Sequence, residues 1–275
     1  MELLFIEKVY QTIEKKQKMI DNKFINYAIR AIMAGVFLTI IYSFCTQILT
    51  DFSGSILAPI GKLMMAYLFG IGLIFILYFG AELFTSNVMY FTIGITHRKL
   101  KISKLLKIWT ACWTFNLVGA VIAALVLVQT GLFNVSGGVC ANSEMLIMAA
   151  KKSVLPWNEI FFRGILANFI VNVVIFLALS VKDDVSKLLV VPLGLVPFVY
   201  LGFEHSIANM GLFMMVWLLP GAAEVAAYNG QAFTTLGALN NLLWATLGNI
   251  IGGAVGVGCY FAYLNKRSEL ELEKN

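Results

Sequence analysis

Two short stretches put polar chemistry where the surrounding sequence is apolar. "GFEHSIANM" at 202–210 carries Glu204 and His205 side by side, and "AELFTSN" at 81–87 carries Glu82, Thr85, Ser86 and Asn87. Ionisable groups in a hydrocarbon setting are costly, and they usually face a bundle interior or a water-filled cavity. Histidine is the residue suited to moving a proton, because an imidazole ordinarily titrates near neutrality. His205 has two open roles: it supplies a proton, or it stays neutral and only donates a hydrogen bond. Glu204 is read as a structural acceptor for backbone that leaves the helical pattern and as the group that orients its neighbour.

The elements that must position these residues are membrane spans. Hydrophobic residues make up 60% of the 275-residue chain and charged residues 13%, and apolar runs recur throughout, which argues against a soluble domain. Six spans are expected at about 26–49, 67–95, 108–131, 161–181, 188–218 and 235–264. Sixteen Lys and Arg flank one side of this arrangement; four (Lys62, Lys151, Lys152 and Arg163) flank the other. The positive-inside rule then places both termini in the cytoplasm of a protein of the cell's inner membrane, and "THRKLKISKLLK" at 96–107 is a topology determinant rather than a nucleic-acid site. Residues 1–25 lack a continuous apolar core, which argues against a cleaved signal; they are expected to form an amphipathic helix on the membrane surface. Residues 266–275 are expected to be a cytoplasmic tail. Cys45, Cys112, Cys140 and Cys259 have no CxxC spacing, so no metal, cofactor or redox site is expected.

A duplication organises the spans. The two polar stretches each read Glu, four residues, Asn. "RAIMAG" at 30–35 matches "RGILAN" at 163–168, and "NLVGAV" at 116–121 matches "NIIGGAV" at 249–255. Repeats of three spans each, at 26–131 and 161–264, must cross in opposite directions, so the fold expected over 26–265 is an all-α integral membrane protein of two inverted repeats, with spans two and five broken. The polar inserts can satisfy the freed backbone that hydrocarbon otherwise forbids. Phe69, Leu73, Leu83, Phe84 and Phe198 border the breaks as candidate apolar constrictions. The glycines of "GNIIGGAVGVG" are read as packing residues.

"AELFTSNVM", "GFEHSIANM" and "RGILANFIVN" resemble signatures of the formate/nitrite transporter family, and the resemblance covers nearly the whole chain. It implies an aquaporin-like fold and a homopentamer with a separate anion pore in each protomer. Thr85 is similar to the family's second-span threonine and His205 to the single histidine facing it. Phe69, Leu73 and Phe198 match its constrictions, with Leu83 and Phe84 beside them. Lys152, next to Lys151, corresponds to the family's lysine, with Asn168 and Asn249 as amide neighbours. The N-terminal helix, here residues 1–24, is the gating element the resemblance implies.

The resulting expectation is a channel for small monovalent weak-acid anions: formate, nitrite or hydrosulfide. A charged ion meets a large desolvation penalty at apolar rings, whereas its neutral acid meets a small one. Lys152 would draw the anion inward and the neutral acid would pass. The rings of Phe69 and Phe198 resemble the formate branch, while the shared motifs leave the anion open. The rivals are an aquaporin-like neutral-solute channel, which ordinarily shows Asn-Pro-Ala at both breaks, and a membrane-embedded enzyme. None of the five prolines follows an asparagine, and His97 and His205 are the two histidines, with no HExxH.

Overall fold

The computed structural model describes residues 2–97, 102–135, 138–139 and 143–265; part of the basic loop and the tail at 266–275 lie outside them. The chain begins with α1 (Glu2–Asn22), whose buried residues Ile6, Val9, Ile13, Lys16 and Ile20 alternate at three- and four-residue steps. That spacing makes one stripe of a helix. The stripe packs on protein, against α2 (Phe24–Phe52), α5 (Phe84–Thr96) and α8 (Trp157–Ser180). Burial of Ile6 and Val9 to full exclusion is more than a lipid-facing stripe would show in the protein alone.

Five helical stretches among the described residues are long and apolar enough to cross a membrane: Phe24–Phe52, Ala58–Phe79, Ile102–Gln129, Trp157–Ser180 and Thr235–Leu264. The second is α3 (Ala58–Leu68) continued by α4 (Gly70–Phe79) and then, after a non-helical gap, by α5. It begins nine residues earlier than expected at 67. Lys62, counted among the flanking cations, lies inside the helix, its ammonium 4.3 Å from the Tyr200 ring centroid, and Pro59 sits in the first turn, where proline is well tolerated. The remaining elements are α6 (Ile102–Gln129), α7 (Glu144–Ser153), α9 (Asp184–Tyr200), α10 (Ser206–Leu218), α11 (Ala222–Val225), α12 (Thr235–Ile251), a π-helical turn at Gly252–Cys259 and α13 (Tyr260–Leu264). The expected fifth span is divided between α9 and α10. Two antiparallel hairpins, Asn134–Val135 with Gly138–Val139 and Ala227–Tyr228 with Gln231–Ala232, depart from the all-α expectation. Each is only two residues per strand and sits in a connection, where no periodic signal could announce it.

Glycine sets the closest approaches. A Cβ on Gly35 would lie 2.0 Å from the Asn116 carbonyl oxygen, and one on Gly119 1.9 Å from that of Ile32, so α2 and α6 meet backbone to backbone. Gly248 and Gly252 face the Phe161 and Ile165 carbonyls of α8 in the same way. These contacts fit the packing role read from the sequence.

Candidate functional site

Each helix interruption starts with a glycine. Gly80 (φ 62°) closes α4 and Gly202 (φ 69°) follows α9, both left-handed, a conformation glycine adopts without a Cβ penalty. The amide of Ala81 then bonds the Ile76 carbonyl (2.9 Å) and that of Phe203 the Phe198 carbonyl (3.1 Å), the six-to-one closure of a Schellman cap. Three residues outside any helix follow in each case, ending on the extended Leu83 and His205, and helices α5 and α10 restart at Phe84 and Ser206.

An asparagine from another helix clamps each gap. Asn116 of α6 donates to the Ala31 and Glu82 carbonyls (2.7 and 2.9 Å) and accepts from the Phe84 amide (3.0 Å). Asn249 of α12 donates to the Gly164 and Glu204 carbonyls (both 2.8 Å) and accepts from the Ser206 amide (2.9 Å). The glutamate amides complete the pattern by donating to the Arg30 and Arg163 carbonyls. Thus the amides and carbonyls of both glutamates and the amides that restart the helices at Phe84 and Ser206 are satisfied inside protein, as burial demands.

The glutamate side chains anchor buried charge. Glu204 accepts from Lys152 (2.8 Å), Asn209 (2.6 Å) and Asn241 (3.1 Å). Glu82 accepts from Asn87 (3.1 Å) and from Lys16, which reaches in from α1. All four charged side chains are almost entirely buried. A buried pair persists only when further hydrogen bonds compensate lost hydration, and here the asparagines supply them.

Between the gaps, His205 Nε2 lies 3.0 Å from Thr85 Oγ1. The Ala208 amide points at His205 Nδ1 (3.2 Å). An amide can only donate, so Nδ1 accepts, and the neutral ring carries its proton on Nε2 and donates to Thr85. The threonine hydroxyl keeps its own proton for another acceptor. Asn168 and Asn172 donate to the Thr85 carbonyl (3.2 and 3.3 Å), and Asn168 also donates to the Asn249 carbonyl (2.6 Å), which ties the two interruptions together.

Two cavities lie at the interruptions, one reaching His205 and the other Leu83 and Ser86. The far cavity, about 530 Å³, is lined by Lys152, Glu204, Tyr42, Phe69, Phe198 and His205 among others. The near cavity, about 170 Å³, lies beside α1 and includes Lys16, Glu82, Leu73, Leu83 and Tyr90. Aromatic rings step inward at the far end: Tyr42 to Phe69 (5.6 Å), Phe69 to Phe198 (5.9 Å), Phe198 to His205 (6.0 Å). Phe69 and Phe198 line one cavity and Leu73 and Leu83 the other, while Phe84 is buried and lines neither. Phe84 heads α5, and its amide donates to Asn116.

The sequence-derived residues Thr85, His205, Glu204, Lys152, Asn168 and Asn249 thus occupy one connected region. Lys16, Asn116, Asn172, Asn241 and Tyr42 were missed. Lys16 had a signal, a lysine placed on the apolar stripe of α1; Asn116 had another, standing in the motif that pairs it with Asn249. Among the described residues no group of three His, Cys, Asp or Glu side chains could hold a metal ion.

The model of a family described as "Formate/nitrite transporter" matches residues 4–263. An uncharacterized transporter, YwcJ of Bacillus subtilis, is 32% identical over 96% of this chain and 99% of its own. A solved structure described as "FNT family ion channel" superposes with a TM-score of 0.83 at 28% identity, covering 94% of this chain and 98% of that one. Another, described as "Pentameric formate channel with formate bound", gives 0.73 at 28% identity over 87% and 96%.

Proposed function

Because the chain belongs to the formate/nitrite transporter family, we propose that it is a membrane channel passing small monovalent weak-acid anions, formate and nitrite foremost, through a pore in each protomer of a homopentamer. The pentamer is carried over from the solved formate channel, which is pentameric. In this reading α3, α4 and α5 form one interrupted span and α9 and α10 another, giving six spans in two inverted repeats of an aquaporin-like fold. Both termini face the cytoplasm, so the near cavity is the inner mouth and the far cavity the outer one.

The observation that carries the proposal is the His205–Thr85 contact, enclosed between two cavities that each contain a lysine–glutamate pair and a pair of apolar closing side chains. Each mouth holds a lysine fixed in place by its glutamate, a cation beside which an anion can pass. Loss of hydration near the apolar rings disfavours the charged form, so the anion takes a proton delivered by water and moves on as the neutral acid. His205 acts as a neutral donor, because its Nδ1 lone pair already accepts the Ala208 amide. The free Thr85 hydroxyl proton offers the passing molecule a hydrogen bond in place of lost water.

Proteoliposome flux tests this. Formate or nitrite influx should rise as pH falls, with little glycerol influx, and His205→Gln should alter the rate without removing the pH trend. Glycerol influx matching anion influx would refute the proposal.

A further inference from the structure

Each cavity contains a hydrogen-bond donor that the protein itself leaves unused. Tyr42, on α2, is 6% exposed and lines the far cavity; Tyr90, on α5, is 4% exposed and lines the near one. Neither hydroxyl has a hydrogen-bond partner among the described residues, and neither is among the polar atoms sealed from solvent without one, so both oxygens open onto their cavities. Each tyrosine stands beside the charged pair of its own mouth. Tyr42 shares the cavity wall with Lys152 and Glu204 and stacks edge-on against Phe69, the first closing ring. The Lys16 ammonium lies 5.4 Å from the Tyr90 ring centroid.

In both mouths the lysine is already bound to a glutamate, whereas the hydroxyl is bound to nothing. The two tyrosines are not products of the duplication. In the register that pairs Arg30 with Arg163 and Glu82 with Glu204, the counterparts of Tyr42 and Tyr90 are Ile175 and Leu212. Two unrelated positions therefore bring the same chemistry to the two ends of one path.

We propose that the Tyr42 and Tyr90 hydroxyls are specificity-determining donors, one per mouth, that hold an oxyanion as it gives up water before the apolar closures and so favour carboxylate-like and nitrite-like oxygens over hydrosulfide. The proposal rests on the anion-channel reading. An oxygen accepts an O–H hydrogen bond well and sulfur accepts it weakly, so the donors discriminate by acceptor rather than by size or charge.

The test is proteoliposome influx of formate and of hydrosulfide for the wild type, Tyr42→Phe, Tyr90→Phe and the double variant. Phenylalanine keeps the ring, its stacking and most of the packing. The expected result is a formate-to-hydrosulfide flux ratio lowered roughly threefold to tenfold in each single variant, and further in the double, the range set by one net hydrogen bond. An unchanged ratio, including one in which both fluxes fall together through poor folding, overturns the proposal. A wild type that carries neither anion removes the anion-channel reading itself, a result distinct from an unchanged ratio.

Discussion

The interruption before α5 and the interruption before α10 share a scaffold and differ in chemistry. Both have a left-handed glycine, a Schellman closure, a glutamate whose amide bonds an arginine carbonyl, and an asparagine clamp. The residue after the glutamate is Leu83 in one and His205 in the other; three residues after it stands Thr85 in one and Ile207 in the other. The duplicated backbone therefore supplies the geometry, and divergence supplies one histidine on one side and one threonine on the other, which meet at 3.0 Å. The supports differ as well. Glu204 is braced by Asn241 of α12, whereas Asn87, the partner of Glu82, bonds the Tyr27 hydroxyl and the Cys112 thiol.

If the scaffolds are equivalent, removing either clamp should be equally severe. Asn116→Leu and Asn249→Leu each leave one buried amide and two carbonyls without their partner, at about 1–3 kcal/mol per group. Neither variant should yield monodisperse protein on size exclusion in detergent, and normal yield from one alone would break the equivalence.

The glutamates should separate. Glu204→Ala strands Lys152 in the interior, a loss of about 3–5 kcal/mol readable as a lowered Tm. Glu82→Ala should lower the Tm less, because Lys16 can leave with α1. Faster tryptic cutting at Lys15, Lys16 or Lys18 in Glu82→Ala than in Glu204→Ala would report that release.

The glycines give the smallest effect. Gly202→Ala meets no atom within 4 Å, so it costs only the left-handed strain of about 1–2 kcal/mol. A Cβ on Gly80 would lie 2.5 Å from Arg30 Nη1, which donates to the Gly80 carbonyl, so Gly80→Ala should lower the Tm further. Equal shifts would show that Arg30 moves aside freely.

Much of this asymmetry could be read in the sequence. Glu82, Thr85, Glu204 and His205 stood out because polar residues in apolar runs are costly. The helix restarts were harder, since Thr85, Ser86 and Asn87 look like loop residues yet lie in the first turn of α5, with only Gly80 to Leu83 outside the helices. The start of α3 was hidden by Pro59 and Lys62. The Lys16–Glu82 pair spans 66 positions, and nothing in the local pattern of α1 names its partner. Tyr42 sits in a span whose apolar character is nearly uniform, so its exposure to the cavity emerges only from packing.

The central claim is that Thr85 and His205, brought together from unlike halves, form a neutral hydrogen-bonding pair that meets the neutral acid between the closures. Formate influx by Thr85→Val, compared with wild type on matched proteoliposomes with glycerol as the control solute, tests it most directly. A fall of roughly threefold to tenfold is expected, the scale of one net hydrogen bond to a neutral molecule, with glycerol influx low in both. Formate influx at the wild-type rate in Thr85→Val would contradict it.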